Sequence, residues 1–220
     1  MRLIKALGVA VALGTVGLTL VGSTPAAASK VKTVLCKTNQ SLCLAANLWG
    51  EHVSIKAESQ KTVLLGSLSV TCKSAVTVLA EKSDSDRVLG KITSLSWSNC
   101  SGCAAVETTT LPNISLFPVA GRNGKLETTS TATVLLLNCT IINFECTATV
   151  SKATLAFTGG TIGGTANASA SKVPVALSGS PLCGASGEWD AGSLDSSPYV
   201  VTEVNGFKSG EIWVSPEAHA

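Results

Sequence analysis

Residues 67–81 read SLSVTCKSAVTVLAE, and this stretch decides the fold class. Leu68, Val70 and Cys72 alternate with Ser67, Ser69, Thr71 and Lys73. Successive side chains of an extended chain point to opposite faces, so a period of two marks a strand with one dry and one wet face. Residues 75–81 continue as an apolar run too short for a helix. Outward from here the same signature recurs. Residues 89–98 place Leu89, Lys91, Thr93, Leu95 and Trp97 on one face. Strand character returns at 104–111, 126–129, 132–137, 146–150, 154–157, 173–177, 199–204 and 211–214.

Turn chemistry separates these runs. Asn123-Gly124 and Asn205-Gly206 are the strongest hairpin signals, since both residue types tolerate the positive φ of a type I′ turn. Gly159-Gly160 and Gly163-Gly164 mark a further loop or bulge. Short strands at regular spacing predict an all-β protein, an antiparallel β-sandwich of Ig-like or jelly-roll-like type. Low charge, 14% of residues, and a chain rich in Ser, Thr, Val, Ala and Gly agree with strands rather than surface helices. The best internal seam, residues 118–131, holds a hairpin signal rather than a linker, so residues 29–220 are expected to form a single secreted β-sandwich domain.

The N-terminus has a different composition. Arg2 and Lys5 precede an uncharged apolar run from Ala6 to Val21, and Ala26-Ala27-Ala28 offers a small-residue cleavage site. This is the pattern of a signal peptide over residues 1–28, expected as an N-terminal signal helix that is removed on export. The run is too short and too interrupted by glycine for a transmembrane anchor, and no later stretch is long enough to span a bilayer. Cleavage leaves 192 of the 220 residues and takes two of the 16 Lys+Arg but none of the 14 Asp+Glu. The mature chain is therefore balanced in charge, with no basic stripe to neutralise a phosphate backbone, and nucleic acid is not expected as a partner.

All eight cysteines lie in the mature part: Cys36, Cys43, Cys72, Cys100, Cys103, Cys139, Cys146 and Cys183. An even count in an exported chain predicts disulfides, because no cytosolic reductant keeps the thiols free. Spacing favours local loops at Cys36–Cys43 and Cys139–Cys146, leaving Cys72, Cys100, Cys103 and Cys183 to pair among themselves, with Cys72–Cys100 as one option. The Cys100-Ser-Gly-Cys103 motif also matches a redox pair or half a zinc site. Its flanks are strand-like rather than a helix N-terminus, and no second CxxC exists, so no metal or cofactor is expected.

Catalytic constellations are sparse. A Ser-His-Asp triad needs a histidine to take the proton, and only His52 and the penultimate His219 exist. Glu188 and Asp190 flank Trp189 and would share a strand face, a spacing that could serve glycoside hydrolysis and equally a solvated edge. Trp49 and Trp213 are candidate ligand contacts as two scattered aromatic rings.

The cysteine framework, with its flanking motifs, resembles a known pattern. Leu35-Cys36 through Cys43, Ser69-Val70-Thr71-Cys72, Ser96-Trp97-Ser98-Asn99-Cys100-Ser101-Gly102-Cys103 and Lys172-Val173-Pro174-Val175 occur in order. Cys183, Glu188-Trp189 and Ser197-Pro198-Tyr199-Val200 follow. Together they resemble a family of exported β-sandwich proteins abundant in soil actinobacteria. The resemblance implies export and a β-sandwich, and it carries over no activity, ligand or catalytic residue. Gly184 and the segment 190–195 depart from that pattern, as does the tail after Val204.

The expectation is therefore a secreted or cell-surface protein without catalytic function, structural, adhesive or envelope-associated, with a cell-surface or matrix partner. The alternative is a module binding a small molecule or glycan in an inter-sheet cleft or at Trp49 and Trp213. A glycoside hydrolase centred on Glu188 and Asp190 is the lesser alternative.

Overall fold

The computed structural model describes residues 31–65, 69–139, 144–170, 173–183 and 191–218. The signal segment with its expected N-terminal helix, the carboxylate pair Glu188 and Asp190, and His219 lie outside the described residues. The described chain is built from strands and three short 3-10 turns. In chain order the strands are β1 (Thr33–Cys36), β2 (Val53–Leu65), β3 (Ser69–Ser83), β4 (Val88–Ser101), β5 (Cys103–Thr110), β6 (Asn113–Val119), β7 (Asn123–Thr128) and β8 (Ala132–Cys139). There follow β9 (Phe144–Val150), β10 (Thr154–Thr158), β11 (Gly160–Thr161), β12 (Asn167–Ser169), β13 (Val173–Gly179), β14 (Ala191–Ser196), β15 (Tyr199–Val204) and β16 (Glu211–Pro216). Among the described residues, no helix is long and apolar enough to cross a membrane.

The all-β expectation holds, but the two stacked sheets of a sandwich are not what forms. One sheet runs β2-β3-β4-β6-β7-β10-β12-β15 and returns to β2, every neighbour antiparallel. That closure makes a barrel and leaves no free edge along the pairing of β15 with β2. A three-stranded sheet, β1-β16-β11, packs at one end of it. Leu35, Ile212 and Val214 from this cap join Val53, Ala80, Val88, Leu116, Phe157, Val201 and Val204 of the barrel in one buried cluster. The barrel's other end leads into a second sheet, β14-β13-β9-β8-β5, built on the far half of β2. Val70, Leu136, Ala148, Val175 and Leu177 fill a separate core there, together with five buried cysteines.

A bulge explains why one strand can serve both bodies. On β2, Val53 and Ala57 are buried, as is Ser59, and then parity switches so that Thr62 is buried. The register slips by one residue between Ser59 and Thr62 against Ser74 and Cys72 of β3. An extra residue of this kind bends the strand and swaps its faces. The opposite edge breaks at the same level. β14 pairs with Leu65 to Thr62, β15 with Glu58 to Ile55, and Ser197-Pro198 sits between them. Proline has no N–H to donate, which suits it to the point where a ladder is interrupted. Ser59 Oγ lies 2.8 Å from Ser197 Oγ and donates to the Ser197 carbonyl at 2.8 Å, while Ser197 N donates to the Lys61 carbonyl at 2.8 Å.

β4 carries a similar switch. The expected single face of Leu89, Lys91, Thr93, Leu95 and Trp97 is split by a register shift opposite Thr77 and Val78. Lys91 and Thr93 are exposed, whereas Val88 and Gly90 are buried on the inner face before the shift. Beyond it Leu95 and Trp97 turn inward.

Turn signals divide in the same way. Asn205 and Gly206 both adopt positive φ, 49° and 84°, and Val204 and Phe207 exchange two 2.9 Å backbone bonds across them, as expected. Asn123-Gly124 is not a turn. The reversal falls at Gly121 and Arg122, with φ of 76° and 61°, and Asn123 already pairs with Val119. Gly124 is glycine for space, since a Cβ there would stand 2.5 Å from Leu116 Cδ1 and 3.2 Å from Val214 Cγ2. Gly124→Val is expected to force the cap away from the barrel and cost about 1–3 kcal/mol by denaturant unfolding. An unchanged midpoint would show that the cap is not packed there.

All eight cysteines are paired, and none is free. Cys36–Cys43 and Cys72–Cys100 form as anticipated. The expected Cys139–Cys146 loop does not form; the bridges are Cys103–Cys139 and Cys146–Cys183. The register is the reason. Cys139 stands opposite Cys103 on β5 and opposite Phe144 on β9, while Cys146 pairs with Leu136 on one side and Gly179 on the other. Cys100 and Cys103 thus belong to different bridges, and their CxxC spacing reflects the tight corner at Gly102, where the chain leaves β4, paired with β3, for β5, paired with β8. No group of metal-ligating side chains occurs among the described residues.

Candidate functional site: an apolar cavity inside the barrel

The inner faces of the barrel strands do not meet. They line a cavity of about 190 Å³. Around its wall stand Ile55 and Ala57 of β2, Val76, Val78 and Ala80 of β3, Ile92, Leu95 and Trp97 of β4, and Ile114 and Leu116 of β6. Leu126 of β7, Leu155 and Phe157 of β10, Ala168 of β12, and Tyr199 and Val201 of β15 complete the circle. Leu35 of the cap closes one end, and Ala132, Val134, Val150 and Val173 from the second core lie at the other. The cavity therefore occupies the junction between the two buried clusters.

Two features of the sequence keep it open. An eight-stranded barrel has an interior wide enough for packed side chains or one small ligand. Here several inward positions carry small residues, Ala57, Ala80, Gly90, Ala132, Ala153 and Ala168, where larger ones would fill the space. Ile55, Val76, Val78 and Leu95 point inward yet are only half-buried, because part of their surface faces the cavity.

Polar groups gather at the level of the β2 bulge. Ser74 Oγ lies 2.7 Å from Thr62 Oγ1 and 2.7 Å from the Tyr199 hydroxyl, and Thr62 Oγ1 lies 3.4 Å from that hydroxyl. Thr62 and Ser74 are 2% and 4% exposed, so this trio is internal. Ser196 stands opposite Thr62 in the register and also lines the cavity. Trp97 is half-buried and shared with a small neighbouring void of about 20 Å³ in the second core. Its Nε1 donates to Thr108 Oγ1 at 2.9 Å. That bond bridges a seam, since β4 beyond Lys91 pairs only with β3, and β5 pairs only with β8.

Among the described residues, no charged side chain lines the cavity. The ion pairs lie on outer faces, Lys56–Glu203 at 2.7 Å, Lys91–Glu81 at 2.6 Å and Lys125–Glu127 at 3.0 Å. A hydrogen bond from Lys125 holds the Glu127 carboxyl below the usual carboxylate range, helped by the charges of Lys125 and Lys152.

The aromatic candidates sit elsewhere. Trp49 and Trp213 come together beside the cap, around one residue. Trp49 Nε1 donates to the Glu211 carbonyl at 3.1 Å and Trp213 Nε1 to Glu211 Oε2 at 2.8 Å. Trp49 leans on Phe207 with ring centroids 6.0 Å apart, and the Lys37 ammonium lies 5.4 Å from its ring. Trp213 packs against the Cys36–Cys43 bridge. With both indole N–H groups engaged, neither ring lies in the cavity wall. His52 is an exposed residue with φ of 58° before β2.

Sequence reasoning does not reach the cavity residues. Alternation marks Val76, Val78 and Val201 as apolar strand positions, but the same pattern would describe a filled core. Comparison with family models, curated proteins and solved structures finds no match to this chain.

Proposed function

We propose that this protein is exported and binds a small apolar molecule inside its barrel. The observation that carries the reading is the cavity itself, about 190 Å³ and walled by aliphatic side chains. An apolar cavity of about 150 Å³ stays dry and takes up benzene, because water gains too few hydrogen bonds there to fill it. A guest gains dispersion contacts with the aliphatic wall. The four disulfides support an oxidising destination, in keeping with the signal pattern of residues 1–28. The reading takes up the small-molecule alternative in preference to a purely adhesive role and moves the site from Trp49 and Trp213 to the barrel interior.

Narrowing the cavity tests it. Ala168 lines the wall, and Ala168→Leu is expected to raise the unfolding midpoint while abolishing uptake of naphthalene. The gain should be on the order of 1 kcal/mol, the contribution of buried methylene groups less the strain of fitting them. A wild-type protein whose melting temperature ignores naphthalene, benzene and indole alike would rule the binding function out.

A further inference from the structure

We infer that the molecule held in the cavity is uncharged, has roughly ten non-hydrogen atoms, and carries one hydrogen-bonding group that is anchored at the Tyr199 hydroxyl. This rests on the binding function proposed above and specifies its ligand class. Three observations combine. First, among the described residues the wall offers no cation for a carboxylate and no carboxylate for an amine. A lone charge transferred there would lose its hydration without compensation. Fatty acids and amines are therefore poor guests, and neutral alcohols, phenols or ketones are good ones.

Second, several polar groups gather at one level. Tyr199 and Ser196 line the cavity where β2 bulges, and Thr62 and Ser74 stand behind them. Elsewhere in the wall Trp97 Nε1 is held by Thr108, and Thr128 Oγ1 accepts from the Ala153 amide at 2.7 Å, which engages one of its acceptor sites.

Third, the hydroxyl trio has capacity left. Each hydroxyl supplies one proton and two acceptor sites. Two contacts of 2.7 Å use two of the three protons, and the third separation, 3.4 Å, exceeds an ordinary O–H···O bond. One proton and several lone pairs thus remain for a guest. A neutral ligand with one polar group would satisfy them and leave its apolar body against valine, leucine and alanine.

The test compares naphthalene, 2-naphthol and 2-naphthoate on the full mature protein, with affinities from ligand-detected NMR. The same series is repeated on Tyr199→Phe, which keeps the ring and removes the hydroxyl. The expected result is naphthol bound about a hundredfold more tightly than naphthoate at neutral pH. In Tyr199→Phe the ratio of naphthol to naphthalene affinity should fall about fivefold. Naphthoate binding as tightly as naphthol overturns the inference without recourse to any variant. So does an unchanged naphthol-to-naphthalene ratio in Tyr199→Phe, and in both cases the binding function survives. If none of the three compounds binds the wild type, the binding function fails and the ligand class fails with it.

Discussion

Reduction of the disulfides under otherwise native conditions is expected to dissolve one core and leave the other largely protected. Three of the four bridges, Cys72–Cys100, Cys103–Cys139 and Cys146–Cys183, lie in the cluster around Leu136 and Val175. The fourth, Cys36–Cys43, staples the cap, and the barrel cluster around Phe157 and Val201 contains no cysteine. Sequence separations of 28, 36 and 37 close long loops, each contributing about 4 kcal/mol in the chain-entropy model. Such terms do not add strictly, but losing three of them exceeds what a core of this size holds in reserve. Hydrogen exchange after reduction should show amides of β5, β8, β9 and β13 unprotected, while β6, β7 and β10 exchange slowly. The paired variant Cys146→Ala/Cys183→Ala isolates one staple, with an expected loss of about 3–4 kcal/mol in urea unfolding. Equal loss of protection in both cores would show that they unfold as one unit. A loss under about 1 kcal/mol in the paired variant would show that the bridge is not a stabilising element.

Val201→Asp is the second change with a large expected effect. Val201 is 2% exposed, lies on β15 opposite Ala57, and forms part of the cavity wall. An aspartate there meets no cationic side chain in the wall, so burial should raise its pKa well above that of an unfolded chain. The native state then binds more protons than the unfolded state once pH exceeds the unfolded pKa, and stability falls as pH rises. At neutral pH the expected cost is on the order of 4 kcal/mol, easing as pH falls and levelling off below about pH 3, where the carboxyl is mostly neutral in both states. Val201→Asn carries similar bulk and polarity without titrating, so its cost should be nearly independent of pH. Urea unfolding of both variants at neutral and acidic pH decides the matter. If the aspartate variant tracks the asparagine variant at every pH, the interior is wetter than the apolar wall implies, and the neutral-ligand reasoning fails with it.

The two effects depend on features that differ in how legible they are from residue order. The stapled core announces itself, because an even set of cysteines between alternating strands has few other uses in an exported chain. Cys36–Cys43 agrees with its short spacing, but spacing alone does not decide a bridge, because Cys139 and Cys146 stand equally far apart and do not pair. Cys139 and Cys146 are neighbours in sequence, yet the β8–β9 register sets them three places apart, and the partner of Cys139 comes from β5. The barrel is harder still. β2 is the strand common to both bodies, but its alternation is interrupted at Gln60 and Lys61, where the bulge inserts a residue. Read as a simple repeat, that interruption looks like the end of a strand rather than its bend.

Residue order alone indicated the all-β class, many of the strands and the covalent nature of the cysteines, because each is written in period-two alternation or in side-chain chemistry. It marked no strand at 53–65 or 113–119 and set Lys91 on the face of Leu95 and Trp97. Tertiary structure decided which edges met, so that β15 closed on β2 instead of leaving a sandwich, and which alanines came to face one another across an unfilled space. The physical reason is that alternation says which side chains share a face, and nothing local says what that face will meet. One inserted residue in a strand reverses the answer, and only the long-range register reveals it.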